Sequence, residues 1–122
     1  MHITDWIVVG PLAAVFAAGG LVKLSRSKEK LANMGMAWTE DFSAAHVKAI
    51  GALELLAALG MAVPAATGVA PGLATTAAAG LTVIMVGAAI THVRRNEVRA
   101  VPVNVVLGGL AVFVAATGSP LS

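Results

Sequence analysis

The chain contains no cysteine, which excludes disulfides, thiol redox chemistry and cysteine-ligated metals. Charge is almost as scarce. Eight Lys and Arg and six Asp and Glu make up only 11% of 122 residues, where a soluble domain carries about a quarter. No phosphate loop, paired-acid motif, nucleophile elbow or run of metal ligands is present. Those absences remove most familiar enzyme classes. What is present is apolar: 58% of the residues are hydrophobic and the mean hydropathy is +0.89. So few polar groups cannot cover a surface in water, so lipid must be part of the solvent. A net charge of +2 and a pI near 9.5 do not point to nucleic acid, because the basic residues gather at the ends of apolar runs.

A helix needs about 20 apolar residues to cross about 30 Å of hydrocarbon. Four runs meet or approach that length: 6–24, 46–63, 73–93 and 101–117. They predict an all-α membrane four-helix bundle, a single transmembrane domain over 1–122. Pro64 and Pro71 are expected to bracket a short turn between spans two and three. Pro71 and Pro102 lie where a first helical turn tolerates proline, and Pro11 is expected to kink span one or mark a frayed beginning. The first run is not a cleaved signal: only Asp5 precedes it in charge, and the basic stretch KLSRSKEK follows it. Lys23, Arg26, Lys28, Lys30 and Lys48 surround the first loop, and Arg94, Arg95 and Arg99 the third. By the positive-inside rule both loops face the cytoplasm of a bacterial plasma membrane and both termini are extracytoplasmic.

Residues 31–45, LANMGMAWTEDFSAA, mix Met34, Met36, Trp38 and Phe42 with polar groups. They predict a short interfacial helix or lid, with Asp41 or Ser43 as the cap of span two. Gly10, Ala14 and Ala18, with Ala57, Gly60, Met61, Gly80, Gly87, Gly108 and Gly109, predict thin faces for close packing, within one chain or along a homo-oligomer seam.

The stretches AAGGLVKLSRSKEKL, MGMAWTEDFS, KAIGALELLAALGMAVPAATGVAPGL and MVGAAITHVRR together resemble the DoxX-like family of small bacterial four-helix membrane proteins. The resemblance covers nearly the whole chain. It aligns Glu54 with the glutamate of the IGALELLAALG core and Lys23 with the lysine closing the first helix. It implies kinship with a small subunit associated with a thiosulfate- or quinol-oxidising system. By analogy it extends to four-helix membrane proteins that handle sterol-like or isoprenoid ligands.

Glu54 is the most informative residue. A carboxylate at bilayer depth costs at least about 2.5 kcal/mol, so it needs a partner, water or a proton. Side chains lean toward a helix N-terminus. Lys23 and Glu54, on oppositely directed spans, therefore lean toward one another, and a pair in the bundle interior is expected. Its plainer role is to fix helix register. Lys48 points elsewhere and should snorkel to the interface. His46 and His92 lie near the same surface and, with Glu54, form a candidate polar cluster for a quinone or lipid head group. Interfacial histidines without a ligand are the bland alternative. His2 is terminal, and Thr82, Thr91 and Asn104 can bond helix carbonyls or neighbours without further function.

Glu54, Lys23, His46, His92 and Trp38 are thus the expected ligand-binding residues, with Glu54 the catalytic candidate if there is one. Three readings follow. The first is an accessory or binding protein for a quinone or isoprenoid lipid, linked to membrane redox metabolism through a redox partner. The second is an enzyme on a lipid-soluble substrate, with Glu54 as general acid/base. The third is a small oligomeric transporter. No metal and no firm cofactor is implied, and the expected surroundings are membrane lipids.

Overall fold

The structure, a computed structural model, describes residues 3–67 and 71–116. Among the described residues five helices are formed, α1 (Ile3–Ser25), α2 (Lys28–Asn33), α3 (Ala44–Thr67), α4 (Pro71–Arg94) and α5 (Val101–Ala116), with 3₁₀ turns at Ala37–Asp41 and Val98–Ala100. Among the described residues there is no strand. The four long helices form an up-and-down bundle in which α1 packs along α3, α3 along α4, and α4 along α5. α1 and α5 touch only lightly. Stretches of all four are long and apolar enough to cross a membrane. Leu56, Val83 and Val106 are mostly exposed on their outer faces, which suits contact with acyl chains. His2, residues 68–70, on which the expected turn between spans two and three falls, and residues 117–122 lie outside the described residues.

Three expectations about the helices need correction. The apolar span ends at Pro64 as expected, but the helix does not: α3 runs through Pro64 to Thr67. A helix end would leave four carbonyls without partners in an apolar setting, whereas an internal proline frees one. Gly10, Ala14 and Ala18 do not form the close-packed face of α1, because Ala14 and Ala18 are exposed and Gly10 is only half-buried. The close approach lies elsewhere, where Gly20 of α1 meets Gly51 of α3. A Cβ on Gly20 would stand 2.6 Å from the Gly51 carbonyl oxygen, and one on Gly51 would stand 2.7 Å from Lys23 Cβ. On α4 and α5 only Gly108 is a contact point, against Met85; Gly80, Gly87 and Gly109 face open space.

The bundle is filled unevenly. Val9, Leu12 and Phe16 of α1, Ala58 and Met61 of α3, Ala78, Leu81 and Met85 of α4, and Ala111 and Val114 of α5 form one buried cluster. Most belong to the half nearer the termini, while Phe16 and Met85 reach the boundary with the other half. The other half, toward the basic loops, holds the buried polar side chains Lys23, Glu54 and Asn104.

Candidate functional site

Local chemistry positions the parts of the basic half. α2 begins at Ser27, whose hydroxyl accepts from Lys30 N–H at 3.2 Å. It ends with Gly35 in the left-handed region, φ 99°, so that Met36 N–H donates to the Leu31 carbonyl at 2.9 Å. That reversal, with Leu31 fully buried, turns the 3₁₀ segment Ala37–Asp41 back across the bundle. Its Thr39 is also fully buried and donates to the Met36 carbonyl at 2.8 Å. Ser43, not Asp41, caps α3, accepting from His46 N–H at 3.1 Å.

α4 ends by the same device. Asn96 takes the left-handed conformation, φ 59°, and Glu97 N–H donates to the His92 carbonyl at 2.7 Å. The cap folds Glu97 back beside His92, whose Nδ1 lies 2.9 Å from Glu97 Oε1. A carboxylate only accepts, so Nδ1 carries the proton. Arg95 then makes three contacts: Nε to Glu97 at 3.1 Å, and Nη1 to Asp41 at 2.8 Å and Nη2 to Glu40 at 3.9 Å on the cover segment. The cover segment is thereby tied to the third loop. The hydrogen bonds from Asp41 and Glu97 raise the Arg95 pKa. The hydrogen bond from His92, with Arg95 beside it, holds Glu97 below the ordinary carboxylate value.

Beneath this cover Lys23 Nζ donates to Glu54 Oε1 at 2.6 Å. Both residues are buried, 8% and 4% exposed. The Gly20–Gly51 crossing lies one turn away on each helix and sets the helix separation that this contact requires. The ammonium also sits 5.7 Å from the centre of the Trp38 ring, a cation–π distance. Trp38 in turn meets Phe42 edge to face at 5.8 Å. Lys48 donates to the Leu24 carbonyl at 3.0 Å in an exposed position, closing the end of α1.

A cavity of about 530 Å³ lies beside the pair. Phe16 and Gly19 of α1, Ile50 of α3, Ile84 and Ala88 of α4, and Leu107 of α5 give it mostly apolar walls. Met36, Trp38 and Phe42 border it from the cover segment, and Lys23, Glu54, Thr91, His92 and Asn104 are its polar members. Val15 and Val103, 48% and 58% exposed, edge it on α1 and α5, the helices that touch least.

Four of the five expected site residues, Lys23, Glu54, Trp38 and His92, border this one space. His46 does not. It is exposed at the start of α3, with its ring 6.0 Å from that of Phe42, and the partner of His92 is Glu97. Asn104 is the residue that sequence reasoning set aside. Thr82 and Thr91 donate to carbonyls four residues back, at 3.0 and 2.9 Å, as expected. Asn104 Nδ2 is buried with no hydrogen-bond partner. The missed signal was chemical: a threonine hydroxyl can satisfy itself on its own helix, whereas an amide must place two further hydrogens.

No curated protein and no solved structure shows significant similarity to this chain. The sequence pattern of the DoxX-like family matches residues 7–114. The chain is therefore a multi-pass membrane protein that belongs to the DoxX-like family.

Proposed function

We propose that this protein binds an apolar, membrane-dissolved molecule, a quinone or an isoprenoid lipid, in the cavity beside Glu54. It would serve a membrane redox partner rather than carry out a reaction alone. The observation that carries this reading is the combination of an apolar chamber of about 530 Å³ with a buried, mutually neutralised Lys23–Glu54 pair at its side. Small-molecule sites typically combine apolar walls with a few placed polar groups. The pair gives a polar head something to meet without leaving net charge in the chamber. Val15 and Val103 mark the lateral way in from the bilayer, and the Trp38 segment separates the head from the aqueous surface.

Orientation belongs to the same proposal. The lysines and arginines gather at the covered end, so that end faces the cytoplasm of a bacterial plasma membrane and both termini face outward. Labelling intact cells with an impermeant thiol reagent should modify Ser122→Cys and spare Ser27→Cys; the reverse pattern defeats the orientation. The binding reading is tested by purifying the protein from its native membrane and extracting its lipids. Wild type should carry one species far above its bulk proportion, and Glu54→Gln and Trp38→Ala should carry much less. Bulk phospholipid in bulk proportions from all three would leave only a structural role.

A further inference from the structure

Asn104 stands in the cavity wall as a buried donor that nothing in the described protein satisfies. It is 8% exposed, and its Nδ2 is closed to water as it stands. Leaving such a group unpaired costs folding free energy. Valine or leucine, half of the residues of α5, would avoid that cost. The other polar side chains of the cavity each already have one partner in the protein. Lys23 is bound to Glu54, Thr91 to the Gly87 carbonyl and His92 Nδ1 to Glu97. Outside it, Arg95 is held by Asp41 and Glu97. No unpaired cation waits there for an anionic head group, so a phosphate or carboxylate would have to break the buried pair to be compensated.

We infer that the ligand carries a neutral, hydrogen-bond-accepting oxygen, a carbonyl, and that Asn104 Nδ2 is its donor. The inference rests on the binding reading above and narrows it. The terminal torsion of an amide side chain is broad, so a modest rotation presents Nδ2 to the chamber that the rest of the side chain already lines. A carbonyl needs only that donor. A diphosphate would bring uncompensated charge. Quinones, long-chain ketones and esters fit; diphosphates fit less well.

The test uses Trp38 fluorescence in a Trp6→Phe background, where Trp38 is the sole tryptophan. The protein, in lipid nanodiscs, is titrated with 2-decyl-1,4-benzoquinone as quencher. The bound quinone is then displaced with 2-tridecanone or with tridecane, which lacks the carbonyl. Quenching should saturate, and the ketone should displace the quinone at about tenfold lower concentration than tridecane, the worth of one good hydrogen bond. Asn104→Leu should weaken quinone binding about tenfold and erase the difference between ketone and alkane. Asn104→Thr should do the same, because its hydroxyl can turn to the carbonyl four residues back, as those of Thr82 and Thr91 do. Thermal melts establish that each variant is folded. If the ketone has no advantage in wild type, or keeps it in both variants, the role of Asn104 is overturned while binding in the cavity stands. If the quinone does not quench saturably in wild type, the binding reading falls, and this inference with it.

Discussion

The two halves of the bundle are built from the same four helices and differ in what fills them. Toward the termini, Leu12, Ala78, Met61, Leu81 and Val114 close on one another and leave the helices little to do but pack. Toward the basic loops the same helices enclose a chamber whose sides carry an ion pair, an imidazole and an unsatisfied amide. A bundle that needed only stability would be filled at both ends, since a cavity forfeits packing and a buried polar group forfeits solvation. The difference teaches that stability is concentrated in one half, which leaves the other free to stay open. It is covered by a segment tied to the third loop by salt bridges at the surface and anchored by the buried Leu31 and Thr39.

The sharpest way to break that contrast is at the ion pair. Lys23→Met should destabilise the protein by about 3–5 kcal/mol, because it strands a buried carboxylate. The double change Lys23→Met with Glu54→Gln should cost clearly less. Chemical unfolding in mild detergent measures both, and strictly additive single effects would mean that the two side chains do not meet.

A matched pair of enlargements then compares the halves directly. Ala78 is fully buried in the filled half, so Ala78→Leu should cost about 1–3 kcal/mol through overpacking. Ala88 borders the chamber, so Ala88→Leu should change stability by less than about 0.5 kcal/mol. Equal penalties would show that the chamber is closed in solution.

The smallest effect concerns the cover. Glu97 has a lowered pKa when folded, so its contribution is present above its unfolded value and is lost as pH falls through the folded one. The latch to His92 and Arg95 should therefore loosen only below about pH 4.5, the ordinary value from which Glu97 is depressed. In the Trp6→Phe background, Trp38 emission should shift to the red in that acid range. Glu97→Gln should show the shifted spectrum already at neutral pH, and a wild-type transition above pH 6 would assign the latch to another group.

Much of this architecture was legible in the residues. The spans announce themselves by length and apolarity, and the Lys23–Glu54 pair follows from two side chains that lean toward each other on antiparallel helices. The cover segment was visible as apolar residues among polar ones. What could not be read was rotation. With 13 glycines in the chain, nothing local says that Gly20 and Gly51 make the crossing while Gly10, Ala14 and Ala18 turn outward. Helix faces are chosen by the sum of contacts with neighbours, not by spacing alone. For the same reason His46 looked equivalent to His92 by depth, although only His92 turns toward the chamber. Asn104 was underrated because a partner on its own helix or on a neighbour was expected; whether one exists is a question of geometry.

Native mass spectrometry of the protein released from its own membrane bears most directly on the hollow half as a ligand site. Wild type should retain one neutral, lipid-soluble molecule per chain, and Ala88→Leu, equally stable but with the chamber partly filled, should lose it. A wild-type spectrum free of bound species, or the same species held equally well by Ala88→Leu, would contradict the account.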